Sequence, residues 1–358
     1  MAHLLSLSTV YNPQPGWYCG ELHTHSSHSD GYDSPFQLVA DAKAQGLDFL
    51  AITDHNRVDV LDRFETAPEI LVIPSMEITL ENGHFNVYGI QGWLDWMENV
   101  CIGYLTIRLA GKYHTTTELM RRIAAQGLTT SINHPFRTPF NWRDYATELQ
   151  YVHCLEVWNK PDWPDTLRSN PRAVALWTRW LNEGYRITAI GGSDHHVSKP
   201  RPGEHILTER LGWPRNYIYA EELSGAAILA ALRQRRVYIS MGPQIMFQAE
   251  MDGITYDIGA EVVEAKGPLM FTGNVTNSPT PAYAQLLKND EVMIKVAVES
   301  GQADLCYGDE VLPERSAWYR LEVRDEEKQL LAITNPIFFG PRPIPEHRTF
   351  GEFFNEFA

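Results

Sequence analysis

One order of elements recurs along the first 240 residues and constrains the fold more than any other feature. It consists of an amphipathic segment, a glycine, a short apolar run and then His or Asp. The glycines and the polar residues that follow them are Gly46 with Asp54-His55, Gly127 with His134, and Gly184 with Asp194-His195-His196. Alternating helices and apolar strands predict parallel βα units. Because parallel barrel strands end at one face, these polar residues are expected to meet there.

The sequence predicts eight strands and three helices in this region. The strands are expected at Trp17–His23, Leu47–Thr53, Ile70–Ile78, His84–Ile90, Leu128–Ile132, Tyr151–Trp158, Arg186–Ile190 and Asn216–Ala220. Three helices are expected to begin at Ser34-Pro35, Thr117 and Asn170-Pro171, and to end near Gly46, Gly127 and Gly184. The fold class is therefore α/β, with a (β/α) barrel over residues 1–243 that has seven strands or eight.

The pattern changes near Gly242-Pro243. Four further strands are expected at Gln244–Met251, Leu269–Val275, Val292–Ala297 and Tyr319–Arg324, without a convincing helix before about Phe339. Turn-forming pairs such as Asp252-Gly253 separate them. Residues 244–358 are therefore predicted to be a small antiparallel β-sandwich with a packed tail, and the segment Gln91–His114 to be an insertion over the barrel mouth.

Histidines and carboxylates after strands indicate a multinuclear metal centre. His23-Thr24-His25 alone is a weak signal, since residues i and i+2 of any strand share a face. The full set, in contrast, offers imidazole and carboxylate ligands of the kind that hold Zn²⁺, Mn²⁺ or Fe²⁺. Packed structural histidines are the alternative for each position taken singly.

The overall charge disfavours a nucleic-acid complex. The 358 residues include 45 acidic and 30 basic ones, a formal net charge of −15, whereas nucleic-acid binders carry basic surfaces. The four cysteines lack a CxxC pair, which favours a reducing cytoplasm, and no apolar stretch is long enough to span a membrane. A small-molecule substrate is expected, and self-association is left open.

Six blocks of sequence resemble the PHP family, named for its polymerase and histidinol phosphatase members. They are GELHTHSSHSDG (20–31), GLDFLAITDHN (46–56), PSMEIT (74–79), GHFNVYGI (83–90), INHP (132–135) and GGSDHH (191–196). The resemblance covers about residues 17–240 and implies a distorted (β/α)7 barrel with two or three divalent ions. Three further blocks, at 155–160, 223–243 and 318–339, look more narrowly like the carbaryl-hydrolase-like branch.

The resemblance also implies a ligand set. His23, His25 and Asp194 would hold one ion, Glu77 would bridge to a second that His84 and His134 complete, and Asp30, His55 and His196 would form a third site. Asp194 is also the candidate proton acceptor, and His195 either acts as an acid near the leaving group or points into the barrel wall.

Several neighbouring residues are expected to support the site or to lie beside it. Asp54 is expected to orient a ligand, Glu156 either reaches the site or forms a structural salt bridge, and His28 is expected to be a solvated loop residue. The Gly191-Gly192 pair is expected to allow close strand approach beside Asp194. Basic residues that follow ligand-bearing strands are candidates to bind a phosphate or are solvated charges: Arg57, Arg137, Lys160, Lys199 and Arg201.

These residues support a metal-dependent hydrolase, with a hydroxide shared by two ions as the nucleophile. The resemblance favours a phosphoesterase acting on a small phosphate mono- or diester. The narrower resemblance implies a carbamate or aryl ester hydrolase instead, and the ligand set does not decide, because the same hydroxide can attack phosphorus or carbonyl carbon. A non-catalytic, metal-stabilised module is a further hypothesis, which the complete ligand set disfavours.

Overall fold

The computed structural model describes residues 5–62, 64, 67–101, 115–198 and 209–354. They form two compact units. The first contains the described residues of 1–176, 190–233 and 347–358, and the second contains 177–189 and 234–346. The predicted boundary between residues 243 and 244 stays a prediction. Within the described residues no helix is both long and apolar enough to cross a membrane.

The described residues up to 233 contain ten strands. They are β1 (Val10–Asn12), β2 (Gly16–Glu21), β3 (Phe49–Ile52), β4 (Leu71–Leu80), β5 (Gly83–Tyr88), β6 (Thr129–Ile132), β7 (Cys154–Asn159), β8 (Thr188–Gly192), β9 (Arg215–Ala220) and β10 (Leu223–Ser224). Strands β1 and β10 pair only with each other, and β2 to β9 belong to a mixed sheet. The helices are α1 (Pro35–Ala44), α2 (Thr116–Ala125), α3 (Thr166–Asn182) and α4 (Gly225–Arg233), with 3-10 turns at Asp59–Asp62, Asp95–Asn99 and Leu149–Tyr151. All eight predicted strands are present, with ends shifted by at most three residues.

Strands β2 to β8 lie side by side in chain order, with β9 on the outer side of β2. Every residue of β3, β4, β5, β6 and β7 is buried, as expected for a sheet covered on both faces. The segments that follow β2 and β8 pair in parallel through a bridge between Thr24 and His195. The two ends of this run of strands are thus joined beside the polar residues that follow them.

Strand β5 runs opposite to its neighbours, which the expected parallel order did not include. It pairs antiparallel with both β4 and β6, and Leu80 lies opposite Gly83. Only Glu81 and Asn82 separate the two strands, and so short a link allows only an antiparallel hairpin. As a result His84, at the start of β5, lies at the edge where the neighbouring strands end.

The helix starts follow local chemistry. Ser34 caps α1 by accepting a hydrogen bond from the Gln37 N–H, with Pro35 in the first turn, as predicted. The prediction for the third helix was wrong, because α3 begins at Thr166 and contains Pro171. Asn170 bonds both backbone groups of Asn159 instead of capping a helix.

The second unit contains two sheets. Its strands are β11 (Val237–Ser240), β12 (Gln244–Met251), β13 (Ile254–Asp257), β14 (Glu261–Val262), β15 (Gly267–Thr276), β16 (Ala282–Lys288), β17 (Glu291–Ala297), β18 (Ala303–Val311), β19 (Ala317–Asp325), β20 (Leu330–Thr334) and β21 (Ile337–Phe339). One sheet has the order β13-β12-β15-β18, and the other contains the remaining strands. They pack face to face, with the rings of Phe271 and Tyr319 4.2 Å apart.

The last helix, α5 (Phe350–Phe354), returns to the first unit. Phe350 and Phe353 are fully buried, and the Phe350 N–H donates to the Thr147 carbonyl. The Gly351 N–H donates to the carbonyl of Tyr145. This helix therefore holds the long connection between β6 and β7.

Candidate metal centre

All nine predicted ligands meet at one edge of the first unit's sheet. They come from the ends of β2, β3, β6 and β8, the middle of β4, the start of β5 and the loop after β2. The residues fall into four overlapping groups, in each of which one potential ligand atom per residue lies within 4.8 Å of the others: His25, Asp30, His55 and His196; His23, Glu77 and His134; His23, His25 and Asp194; His55, Glu77 and His84. Their overlap is the arrangement expected of adjoining ion sites.

The backbone bends sharply where the strands reach this centre. Four non-glycine residues just past strand ends have positive φ: Asn56 at 51°, His134 at 29°, Lys160 at 38° and Asp194 at 46°. Such conformations are uncommon outside glycine and cluster at functional sites, where the surrounding fold enforces them. The bends keep successive polar side chains of four different connections directed at one place.

Glu77 is the hub of the cluster. It is fully buried, and its two oxygens face five imidazole nitrogens at 2.9–3.5 Å, those of His23, His25, His55, His84 and His134. Burial alone would raise its pKa, but the imidazoles of His23, His55 and His84 hold the pKa of Glu77 well below its ordinary value. A carboxylate that serves so many imidazoles at once is suited to bridging two ions.

Asp194 joins the imidazoles to two cations. Its Oδ1 lies 3.1 Å from His25 Nε2 and 3.5 Å from His23 Nε2. Its Oδ2 accepts a 2.8 Å hydrogen bond from Arg137 Nη1 and lies 3.7 Å from Lys160 Nζ. Burial opposes ionisation, yet Lys160 and His23 keep the pKa of Asp194 well below its ordinary value.

Asp30 connects two outer histidines. Its Oδ1 lies 3.4 Å from His196 Nε2 and its Oδ2 lies 3.5 Å from His55 Nε2. The rings of His55 and His196 both stack on the ring of His25, with centroids 4.2 Å and 4.3 Å from its centroid. Asp30 is 46% exposed, so this third group opens toward solvent.

The donor set fits divalent metal ions. Several of its nitrogens and oxygens are buried without a hydrogen-bond partner: His23 Nε2, both ring nitrogens of His25, Glu77 Oε2 and His134 Nδ1. Buried polar atoms are almost always hydrogen-bonded, so their collection at one point calls for another partner. Burial, together with His55 and His196, lowers the pKa of His25 to about 3, which leaves it in the neutral form that binds metal.

Glu156 orients two of these histidines. The residue is fully buried; its Oε1 lies 2.9 Å from His23 Nδ1, and its Oε2 accepts a 2.8 Å bond from the backbone N–H of His134. A hydrogen bond to Nδ1 fixes the tautomer that leaves Nε2 for a ligand. Gly192 makes room for this contact, because a Cβ there would lie 2.2 Å from Glu156 Oε1.

Two other supporting residues were missed by the sequence analysis. Asn133 Nδ2 donates a 2.7 Å hydrogen bond to Glu77 Oε1, and Thr79 Oγ1 lies 2.5 Å from His55 Nδ1. Asn133 directly precedes a predicted ligand, and Thr79 is two residues past Glu77 on the same face of β4. Their proximity to the ligands was therefore a usable signal.

A cavity of about 280 Å³ opens beside the ligands. One wall contains Arg137 and Lys160, whose side chains are 9% and 5% exposed. Arg137 also bonds Asp165, and Lys160 Nζ bonds Glu209 at 2.6 Å. Glu209, a further residue that the sequence did not reveal, also accepts from the backbone N–H groups of His196 and Val197.

The structure does not bring His195 to the cavity, which corrects its predicted role as an acid beside the leaving group. The side chain is fully buried, and its Nε2 lies 3.0 Å from Ser198 Oγ and 3.6 Å from Asp33 Oδ2. Since Asp194 and His196 face the centre, the residue between them faces away. His195 therefore agrees with the other expectation, that its side chain points into the wall.

Two further candidates, Asp54 and Arg57, do not line the cavity. Asp54 accepts three hydrogen bonds from Ser26 and Ser29, so it organises the loop after β2 rather than a ligand ring. Arg57 pairs with Asp59. Lys199 and Arg201 lie outside the described residues.

Of the predicted insertion Gln91–His114, the described part is residues 91–101. It packs on α2 through Trp96 and Asp95 and does not line the cavity.

Residues 21–154 match the family model of the PHP domain. The match includes seven of the nine clustered residues and ends before Asp194 and His196. A 5'-3' exoribonuclease of Haemophilus influenzae is 42% identical over 62 residues, which are 16% of this chain and 23% of that protein. The chain thus matches less than a quarter of the length of that curated relative.

Three solved structures are similar to the chain at low identity. A two-domain protein of Bacteroides vulgatus, described as containing a predicted PHP-like metal-dependent phosphoesterase, is 19% identical with a TM-score of 0.44, over 92% of this chain and 98% of that one. A protein of Bifidobacterium adolescentis with a proposed metal-dependent phosphoesterase activity is 18% identical, with a TM-score of 0.39, over 52% and 91%. An amidohydrolase of Chromobacterium violaceum, with bound sulfate and no metal, is 18% identical, with a TM-score of 0.36, over 53% and 90%.

Proposed function

We propose that this protein is a metal-dependent hydrolase whose substrate is a small phosphate mono- or diester. The observation that carries the proposal is the cluster of nine imidazole and carboxylate side chains, Glu77 and Asp194 among them, beside two buried cations. Structural histidines packed in a core would need hydrogen-bond partners, and several of these nitrogens have none.

Bound ions would lower the pKa of a water molecule and stabilise the negative charge that develops during hydrolysis. The chain's own residues would do the rest. Glu77 and the histidines around it would hold the ions in the proposed groups, with two or three ions in all and Zn²⁺, Mn²⁺ or Fe²⁺ as the suitable elements. Asp194 would accept a proton, and Arg137 and Lys160 would hold the phosphoryl oxygens.

Charge favours a phosphate over a carbamate. Glu77, Asp194, Asp30 and the buried Glu156 supply four negative charges, which two divalent ions balance and three exceed. Arg137 and Lys160 each have a carboxylate partner of their own, in Asp165 and Glu209. With three ions the cavity would therefore carry a positive surplus that an anionic phosphate neutralises and an uncharged carbamate does not.

We also propose a barrel fold, a cellular compartment and a class of partner for this protein. The run from β2 to β8 would be the distorted (β/α)7 barrel, which the bridge between Thr24 and His195 supports. The protein would work in a reducing cytoplasm, in keeping with its four cysteines, all described and none of them in a disulfide. It would turn over a small molecule rather than form a stable complex with nucleic acid. Light scattering would measure whether it self-associates.

The test is metal content together with turnover. Protein purified without chelator is expected to contain two to three equivalents of metal and, in Mn²⁺, to hydrolyse p-nitrophenyl phosphate or bis-p-nitrophenyl phosphate. His25→Ala should lose metal and turnover, whereas His28→Ala, a loop histidine that does not line the cavity, should keep both.

Two other outcomes would change the conclusion. Turnover of 1-naphthyl methylcarbamate without phosphoester turnover would favour the carbamate hydrolase of the carbaryl-hydrolase-like branch. One equivalent of metal or none, with no turnover after Mn²⁺ loading, would favour a non-catalytic module.

A further inference from the structure

Granting the phosphoesterase activity proposed above, we infer that Phe140 and Trp163 hold a planar aromatic leaving group. The preferred substrate is then a phosphate ester of a ring-bearing alcohol or phenol. Water forms the new P–O bond, the bond from phosphorus to the ring-bearing oxygen breaks, and a proton from the water ends on that oxygen. The products are inorganic phosphate and the free alcohol or phenol.

Phe140 lies at the rim of the cavity, next to the metal ligands. Its ring centre is 5.5 Å from that of His84 and 6.5 Å from that of His134. Although it lines the cavity, its side chain is 45% exposed. A large apolar ring left half open beside charged ligands offers a surface that an apolar part of a ligand would cover.

Arg137 lies between two aromatic rings. Its guanidinium carbon is 5.9 Å from the centre of the Phe140 ring and 5.4 Å from that of Trp163, and Lys160 Nζ lies 4.9 Å from the Trp163 ring. The bonds from Arg137 to Asp165 and Asp194 fix the guanidinium in place. The wall therefore combines two aromatic rings with the two cations that suit a phosphate.

The position of this wall fixes how a phosphate ester would lie. The inner part of the cavity is lined by the proposed metal ligands, so the phosphoryl group belongs there, within reach of Arg137 and Lys160. The organic part then points toward the rim, where the two aromatic residues are. Ring–ring contacts favour planar groups over saturated ones of the same size, because they add an electrostatic component to apolar burial.

The test compares benzyl phosphate with cyclohexylmethyl phosphate, two primary esters of nearly equal bulk that differ in the ring. Phosphate release is measured in Mn²⁺ for the wild type, for Phe140→Leu and for the matched control Phe36→Leu, an exposed phenylalanine on α1. The wild type should prefer benzyl phosphate by about three- to tenfold in kcat/KM, the size of one or two ring contacts.

Phe140→Leu should remove most of this preference, mainly through a higher KM for benzyl phosphate. Phe36→Leu should keep the preference. Equal kcat/KM for the two esters in the wild type, or an unchanged preference in Phe140→Leu, would overturn the inference while p-nitrophenyl phosphate turnover still upheld the phosphoesterase. Absence of all phosphoester turnover in the wild type would instead refute the proposed function.

Discussion

Replacing Glu156 with glutamine should weaken metal binding without unfolding the protein. The carboxylate only accepts hydrogen bonds: Oε1 faces His23 Nδ1 at 2.9 Å, while Oε2 accepts from the His134 N–H at 2.8 Å and from Asn159 Nδ2 at 3.2 Å. Glutamine has the same shape, but one end of its amide is a donor. If the NH2 end faces His23, the imidazole must change its tautomer. If the NH2 end faces His134, it meets another donor, the backbone N–H.

The magnitude follows from the two orientations. If the NH2 faces His23, the ring proton must move to Nε2, the nitrogen that points at Glu77 and Asp194 and would bind the ion. If it faces His134, a buried N–H loses its acceptor, at a cost of about 1–3 kcal/mol. Either change corresponds to the roughly 10- to 100-fold loss of metal affinity typical of residues that orient a ligand.

The assay is a competition titration with a metal-binding dye, run beside urea unfolding. Glu322→Gln is the matched control, because Glu322 is a buried carboxylate of the second unit that accepts from Gln285, Arg320 and Arg324. The control should lower the free energy of unfolding and leave metal affinity unchanged. A metal affinity of Glu156→Gln within about threefold of the wild type would show that Glu156 does not set the His23 tautomer.

Three further predictions concern turnover, pH and metal removal. Asp194→Asn should keep the fold and lower kcat by about 10²- to 10⁴-fold at saturating Mn²⁺, the range for a lost proton acceptor; near wild-type turnover would refute that role. Burial, followed by Arg233, lowers the pKa of His153 to about 4 from 6.5, so the unfolded chain binds more protons. The contribution of His153 to the free energy of unfolding should be fully present above about pH 6.5, and up to about 3 kcal/mol of it should be lost toward pH 4 in urea titrations. His153→Gln should show a smaller loss, and an equal loss in that variant would contradict the prediction. Chelation should lower the free energy of unfolding by about 4 kcal/mol relative to protein with ion at about 1,000 times its Kd, and identical urea midpoints would argue against resident ions.

The positions of the strands could be predicted from the sequence, because buried strands are continuous apolar runs ended by glycine or polar residues. The nine clustered residues could be predicted for a related reason, since most of them directly follow such runs. Strand direction was the weaker part. The link at Glu81 and Asn82 is short enough to indicate a hairpin, yet the repeated βα order suggested parallel strands throughout.

Side-chain direction and distant support could not be predicted equally well. Alternation places Asp194 and His196 on one side and His195 on the other, but which side faces the centre depends on the bend at Asp194. Glu209 follows no motif. Its contacts with Lys160 and with the backbone of His196 join residues 49 and 13 positions apart, and no sequence motif predicts them.

The return of α5 to the first unit has a consequence for how this protein is made. The hydrogen bonds from Phe350 to Thr147 and from Gly351 to Tyr145 join residues about 200 positions apart. On the ribosome, the long connection that carries Arg137 and Phe140 emerges well before the helix that holds it. The first unit therefore cannot reach its final form until α5 has been translated, and expression of residues 1–233 alone would leave Trp142 without the ring of Phe350.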